Sequence, residues 1–369
     1  MGAPLPHTQP GRIERLRAGL EVAGCAAAVL VGGDHAAHLC GYSRYLSALT
    51  AVVIDEGGRS TLVVPAFEAP AARELGQADS VAAYGGVDFL DFDPLPKLAA
   101  ACAELLPPGR VGVAASAPIR KALGDAARAE TADIAPLVET VRRVKDRDEL
   151  ERLAESYRLA LVGQDAVFAA ARVGVTEIEL FSAAQAAAQN ASGSPIEFIA
   201  GIGAGRSTAG VAPPVVVPGR QAVEDGDAIL SDVALRHRGY WGDTTRSSVV
   251  GSNAQVQAII DEIAGILREV AARFVPGTPV KALHAFMREQ INVRYPDGVF
   301  PHHGGHGLGV GVGEDPQIIP SAESVIEAGM VFAVEPGVYF AGRFGARVED
   351  TYVVTDQGGQ LISEFAPSS

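Results

Sequence analysis

The chain has 369 residues, which at roughly 100 to 200 residues per domain predicts two or three domains with a sizeable core. Hydrophobic residues make up 48% and charged residues 20%, which excludes a disordered or collagen-like chain despite 42 glycines and 23 prolines. With 30 basic against 44 acidic residues the formal net charge is -14, which repels phosphate backbones and anionic bilayers, so neither nucleic acid nor a membrane is an expected partner.

Cys25, Cys40 and Cys102 form an odd, sparse set without CxxC spacing, as in a reducing compartment, and neither a signal-peptide core nor an 18-residue apolar run is found; a cytoplasmic location is expected. In chain order, Ile13, Leu16, Leu20 and Val22 recur at helical spacing over 12–22, with Gly24 following as a stop. Short apolar runs at 27–31, 51–54, 61–64 and 111–113 predict strands, so residues 1–140 are expected to form an α/β domain. The charged segment VRRVKDRDEL (141–150) opens a long helix carrying Leu150, Leu153, Tyr157 and Leu161, and a second domain is expected over 141–369. Thr176 and Glu179 form a capping box for a helix ending near Asn190. Further helices are predicted at 255–274 and 280–294, and strands at 196–200, 228–234, 247–250, 330–334 and 351–354, an α+β pattern.

Two glycine-rich stretches, GIGAGRST (201–208) and GLGVGVG (307–313), lack the Lys of a P-loop and the third Gly of a dinucleotide fingerprint, and read as places where the backbone passes close to something. The acids are more informative. In DVALRHRGYWGD a tight turn centred between His237 and Arg238 would set Asp232 opposite Asp243, and in EPGVYFAGRFGARVE a turn centred on Gly342 would set Glu335 opposite Glu349. Like charges directly opposite destabilise a ladder, and an unpaired carboxylate beside an apolar run such as VFAV costs roughly several kcal/mol, so two such pairs point to a cation between them. The glycines of PHHGGHGLG argue for an extended strand at His306. Four acids and one imidazole form a donor set suited to two divalent ions about 3.5 to 4 Å apart; surface hairpins with coincidental acids are the alternative.

GDAILSDVALRHRGYWGDTTRSSVVG, PHHGGHGLG, GMVFAVEPGVY and GARVED follow in the order and spacing of the pita-bread metallohydrolases, and the chain resembles the peptidase M24 family of Xaa-Pro aminopeptidases, prolidases and methionine aminopeptidases. RIERLRAGLEVAGCAAAVLVGGDHAAHLCGY resembles the creatinase/prolidase N-terminal domain. The resemblance implies a two-domain α/β fold with a C-terminal pita-bread α+β domain, a homodimer, and two divalent ions (Mn, Co, Fe or Zn) on Asp232, Asp243, His306, Glu335 and Glu349. It implies Glu335 as the catalytic base, and it aligns His302 and Arg347 with catalytic positions.

Two positions depart from the family. A His usually stands three residues before the Pro matching Pro218, where this chain has Val215, and another lies seven residues after His306, where it has Gly313. In the family these imidazoles contact the scissile amide, and one such donor is worth about 2.7 to 4 kcal/mol in the transition state. His302 or His303 is a candidate substitute. The expected function is dinuclear metal-dependent hydrolysis of an amide bond in a small-molecule or short-peptide substrate, Xaa-Pro peptidase-like. The alternatives are a relative retuned for a non-peptide molecule, as a cyclic amidine or amide hydrolase or a lyase, and a metal-stabilised binding protein without turnover.

Overall fold

The computed structural model describes residues 11–45, 48–86, 93–209 and 216–366. The described residues divide into two compact units, one within 11–142 and the other within 143–366. Among the described residues no helix is long and apolar enough to cross a membrane.

The first unit runs α1 (Arg12–Val22), β1 (Ala27–Val31), α2 (Gly33–Cys40), β2 (Ala51–Ile54), β3 (Ser60–Pro65), α3 (Ala69–Leu75), β4 (Ser80–Tyr84), α4 (Leu95–Ala103), β5 (Val111–Ala114), α5 (Ala117–Ala127), β6 (Thr131–Asp133) and α6 (Ala135–Arg143). One mixed sheet has the order β4-β3-β2-β1-β5-β6. Ala28 and Leu30 of β1 pack with Leu16 and Leu20 of α1 on one face, and Val29 packs with Leu98 of α4 on the other. Burial on both faces explains why β1 reads as an unbroken apolar run. The predicted strands all form. The edge strands β4 and β6 escape a sequence reading because they are short, half-exposed and carry no apolar alternation. Helix α6 crosses position 140 because its turns carry Val138 and Val141 into this unit's core.

The second unit contains α7 (Arg147–Ala170), α8 (Glu177–Ser192), β7 (Glu197–Ala204), β8 (Ala228–His237), β9 (Tyr240–Val249), α9 (Ala254–Ala271), α10 (Val280–Arg294), β10 (Gly305–Gly307), β11 (Glu314–Gln317), β12 (Val331–Val334), β13 (Gly337–Phe340), β14 (Phe344–Arg347), β15 (Asp350–Thr355) and β16 (Gly358–Leu361). The capping box at α8 is present: the Thr176 amide and hydroxyl both donate to Glu179 Oε2, at 2.8 and 2.6 Å. Three antiparallel sheets form, ordered β7-β8-β9, β11-β10-β12-β15-β16 and β13-β14. A single bridge between Thr245 and Glu349 ties β9 to the junction of β14 and β15. Leu267, Val270 and Phe274 from the α9 region, Leu283 and Met287 of α10, and Phe332 and Val354 of the five-stranded sheet share one core.

The β8-β9 hairpin turns one residue later than expected. His237 pairs with Tyr240, so Arg238 and Gly239 are the central residues, with φ of 49° and 86°. A two-residue turn of this hand needs positive φ at both positions, and Gly239 adopts it without steric cost. Asp232 therefore pairs with Thr245, and Asp243 with Ala234. The two aspartates are diagonal rather than directly opposite, yet a shift of two residues leaves them on the same face. The second hairpin turns about Gly342 (φ 70°) as expected, but its ladder ends at Gly337 and Arg347, short of the two glutamates.

Helix α7 lies close on β8 and β9. A Cβ at Gly242 would sit 2.2 Å from the backbone carbonyl carbon of Ser156, and buried Gln164 donates through Nε2 to Ser231 O (2.9 Å) and Thr244 O (2.8 Å). Gly242→Ala is therefore expected to lower stability by about 1 to 3 kcal/mol through backbone displacement. Gly265→Ala, in α9 where the nearest atom to a new Cβ is Arg268 Nη2 at 3.9 Å, is expected to raise it by roughly 0.5 to 1 kcal/mol. Urea midpoints of the two variants moving in the same direction would contradict this reading.

Candidate metal centre

The five predicted ligands come from five separate places: Asp232 on β8, Asp243 on β9, His306 on β10, Glu335 directly after β12 and Glu349 between β14 and β15. Backbone bonds hold the last two, with the Glu335 amide donating to Gly304 O (3.1 Å) and the Glu349 amide to Thr245 O (2.9 Å). Gly305, at φ 139°, lets β10 lie against β12, since a Cβ there would be 2.1 Å from Ala333 O. The structure brings the five together. His306 Nε2 is 3.6 Å from Asp243 Oδ2 and 4.0 Å from Glu335 Oε1, and ligand atoms of Asp243, His306 and Glu349 all lie within 4.8 Å of one another. The Arg347 guanidinium donates to Asp232 and lies 3.7 Å from Glu335 Oε2. The Thr245 hydroxyl donates to Glu349 Oε2 at 2.6 Å.

Asp243, Glu335 and Glu349 are 5%, 5% and 2% exposed. Burial, then the neighbouring carboxylates, pushes Asp243 and Glu349 well above the usual carboxylate range. Burial also raises Asp232, with Arg347 opposing. Glu335 moves the other way: burial works against its charge, but His303 and Arg347 outweigh it and hold the carboxyl down at about 2. His306 Nδ1 faces the Gly307 carbonyl at 3.0 Å, which can only accept, so Nδ1 carries the proton. Burial lowers the pKa of this ring and favours its neutral form, so Nε2 turns a lone pair toward two carboxylates. Lone pair and carboxylate oxygens repel unless a proton or a metal ion lies between them. Buried hard oxygens with one imidazole nitrogen are a donor set that fits divalent metal ions.

His302 and Arg347 belong to a hydrogen-bond chain behind the ligands. His302 Nδ1 donates to His303 O at 2.7 Å, its Nε2 accepts from the Tyr339 hydroxyl at 3.1 Å, and the same hydroxyl oxygen accepts from Arg347 Nη1 at 3.1 Å. Burial keeps Tyr339 protonated, with its pKa pushed up to about 12, and lowers His302 to about 4. Both nitrogens of His302 are thus engaged within the protein. Sequence reasoning missed Tyr339 and Thr245. A signal was present for Thr245, which stands two residues from Asp243 on β9 and shares its face, but not for Tyr339, which lies on β13, a different strand from the segment that carries Glu335.

Gly313 lies in the bend between β10 and β11 with φ outside the left-handed region, and a Cβ there would meet only Gln317 Nε2, at 3.8 Å. Val215 lies outside the described residues. The glycine-rich stretches make room for neighbouring carboxylates. A Cβ at Gly309 would be 2.5 Å from Glu314 Oε2, and Glu314 accepts from the Gly311 amide (3.0 Å) and pairs with buried Lys145 (3.1 Å). A Cβ at Gly205 would likewise be 2.5 Å from Asp227 Oδ1.

Residues 151–356 match the family described as Metallopeptidase family M24, and residues 12–144 match the Creatinase/Prolidase N-terminal domain. The putative dipeptidase YkvY of Bacillus subtilis (strain 168) is 25% identical over 360 residues, covering 96% of this chain and 98% of that protein. The Xaa-Pro dipeptidase of Lactobacillus helveticus is 30% identical over 234 residues, 62% of each chain. The uncharacterized peptidase YqhT of Bacillus subtilis (strain 168) is 29% identical over 64% of this chain and 66% of its own, so just under two thirds of its length is matched. Among solved structures, the prolidase from Pyrococcus horikoshii OT3 superposes with a TM-score of 0.81 at 23% identity, covering 95% of this chain and 97% of that one. The Xaa-Pro dipeptidase from Bacillus anthracis gives 0.81 at 24%, covering 97% and 98%. The fold is therefore the expected one, an N-terminal creatinase-like α/β domain and a C-terminal pita-bread domain.

The raised carboxyls carry a signed consequence for stability. A group whose folded pKa exceeds its unfolded value costs stability as pH rises above the unfolded value. In chelator, Glu349→Gln is therefore expected to melt above the unmodified protein, by a margin that grows from pH 6 to pH 8. With added Mn²⁺ or Co²⁺ the order is expected to reverse, because the unmodified protein gains about 2.7 kcal/mol at a hundredfold excess over Kd and the variant gains less. Melting curves at both pH values, with and without metal, check both signs.

Proposed function

The chain belongs to metallopeptidase family M24, and from that membership we propose that it is a two-metal hydrolase of amide bonds in short peptides. Asp232, Asp243, His306, Glu335 and Glu349 are the proposed ligands, and Mn, Co, Fe and Zn all suit them. One observation carries this reading: three buried carboxylates and the partly exposed Asp232 gather around an imidazole whose lone pair faces two of them, an arrangement that positive charge stabilises. The names of the relatives, Xaa-Pro dipeptidase and prolidase, support proline-containing dipeptides as the substrate class. A cytoplasmic homodimer is part of the same proposal.

Divalent ions, when bound, supply Lewis acidity toward a carbonyl oxygen and lower the pKa of water. The protein's own part is positional and acid-base. Glu335, ionised in this environment, receives the proton of the attacking water at its carboxylate and returns it to the departing nitrogen. Arg347 fixes Asp232 and leans on Glu335, so neither carboxylate is free to swing. Tyr339, held between Arg347 and His302, braces that guanidinium from the far side. Burial of the cluster keeps bulk water out, which strengthens each of these interactions.

A second reading, hydrolysis of a non-peptide amide or amidine, draws its support from Gly313. Where the family has an imidazole for the reacting amide, this chain has a hydrogen atom and open space. The unmodified protein is accordingly expected to cleave Xaa-Pro dipeptides weakly, and Gly313→His to raise that rate tenfold or more, since one donor is worth roughly 10² and the backbone accepts the larger residue. Asp243→Ala is expected to lower bound metal, read by elemental analysis, and to abolish hydrolysis. Turnover of Xaa-Pro dipeptides by the unmodified protein at about 10 per second, a common enzyme rate, would show that the missing imidazole is not limiting.

A further inference from the structure

PHHGGHGLG contains three imidazoles, and the five-ligand reading gives His303, three residues before His306, no place among the ligands. Its Nδ1 lies 3.1 Å from Glu335 Oε1, the same oxygen that His306 Nε2 approaches at 4.0 Å. The two rings are 5.6 Å apart between centroids, at 70° to one another. Nδ1 of His303 is shut off from solvent and faces this carboxylate oxygen without the alignment of a hydrogen bond. A buried nitrogen in that condition is rare in folded proteins and calls for a specific explanation, of which an ion is one.

Two features favour the ion. Nitrogen and oxygen donors about 2.0 to 2.2 Å from a first-row metal stand about 3 Å apart when they occupy neighbouring positions, so the separation between His303 Nδ1 and Glu335 Oε1 is that of two donors sharing one ion. The backbone of His303 is also held in place. His302 donates to the His303 carbonyl at 2.7 Å, and His302 is fixed by Tyr339 and, through it, by Arg347, which grips Asp232. Preorganised ligands of this kind are what a tight metal site requires. His302 is excluded from the same task because both its ring nitrogens are already engaged.

We propose that His303 Nδ1 is a ligand to the ion held by Glu335, so that the centre carries two imidazoles, His303 and His306, instead of one. The proposal rests on the metal-centre reading above and extends its ligand set. A second nitrogen donor moves the site's preference away from Mn²⁺ and toward Co²⁺, Zn²⁺ or Fe²⁺.

Co²⁺ alone is the probe. In the unmodified protein, X-ray absorption at the cobalt edge is expected to count two imidazoles summed over the bound ions, and the count is expected to fall to one in His303→Ala. Titration followed by the visible cobalt bands is expected to show at least tenfold weaker binding of one ion in His303→Ala and in His303→Gln, with circular dichroism matching the parent. A count of one imidazole in the unmodified protein overturns the proposal whether or not the variants fold. Unchanged affinity and unchanged cobalt bands in His303→Ala overturn it too, while leaving the five-ligand centre intact. Failure of the unmodified protein to bind Co²⁺ at all overturns both the proposal and the reading on which it rests.

Discussion

The carboxylates of Asp243, Glu335 and Glu349 are buried together beside the partly exposed Asp232, and two unit charges 4 Å apart interact by about 4 kcal/mol even at the effective dielectric of a protein surface. The surrounding structure answers that repulsion in three ways. Asp243 and Glu349 are driven toward their neutral forms, Asp232 and Glu335 face the guanidinium of Arg347, and Thr245 donates a hydroxyl to Glu349. Together these lessen the repulsion among the carboxylates. The remaining demand is for a cation, and the imidazole lone pair of His306 points into the same space.

Holding mutually repelling groups at fixed positions requires rigid support. Gln164 of α7 spans β8 and β9 by bonding a carbonyl of each, and Gly242 lets the helix come near enough to do so. On the other side, Arg246 donates to the Glu349 carbonyl and to the Asp350 carboxylate, while the Tyr157 hydroxyl donates to Asp350 at 2.5 Å. The backbone at Glu349 is therefore clamped by a helix and a strand. Asp232, Asp243 and His306 lie within strands and Glu335 and Glu349 at strand junctions, where the scaffold behind them does not yield.

Much of this was legible from residue order. The α1 period, the run at β1 and the Thr176–Glu179 capping box are local patterns whose physics acts within a few residues, and the elements form where those patterns lie. The acid pairs were legible as clusters because like charges beside apolar runs demand compensation. The β8-β9 register was misread by two residues because composition does not say which of His237, Arg238 and Gly239 occupy the turn, whereas the φ requirement at Gly239 does. That error left the shared face intact, since a two-residue slip preserves side-chain direction. The hydrogen-bond chain from Arg347 through Tyr339 to His302 was out of reach, because it joins segments whose juxtaposition depends on the bridge between Tyr339 of β13 and Val299 in the segment before β10.

The bridge between Thr245 and Glu349 closes a loop of 104 residues. Contacts at such separations form late, since the chain must lose the entropy of the intervening loop before the contact offers anything in return. During synthesis the strands bearing the two aspartates leave the ribosome long before the second glutamate exists. An ion at this centre would gain its full set of ligands only once that long-range bridge had closed, so the last step of folding and the completion of the site would be one event.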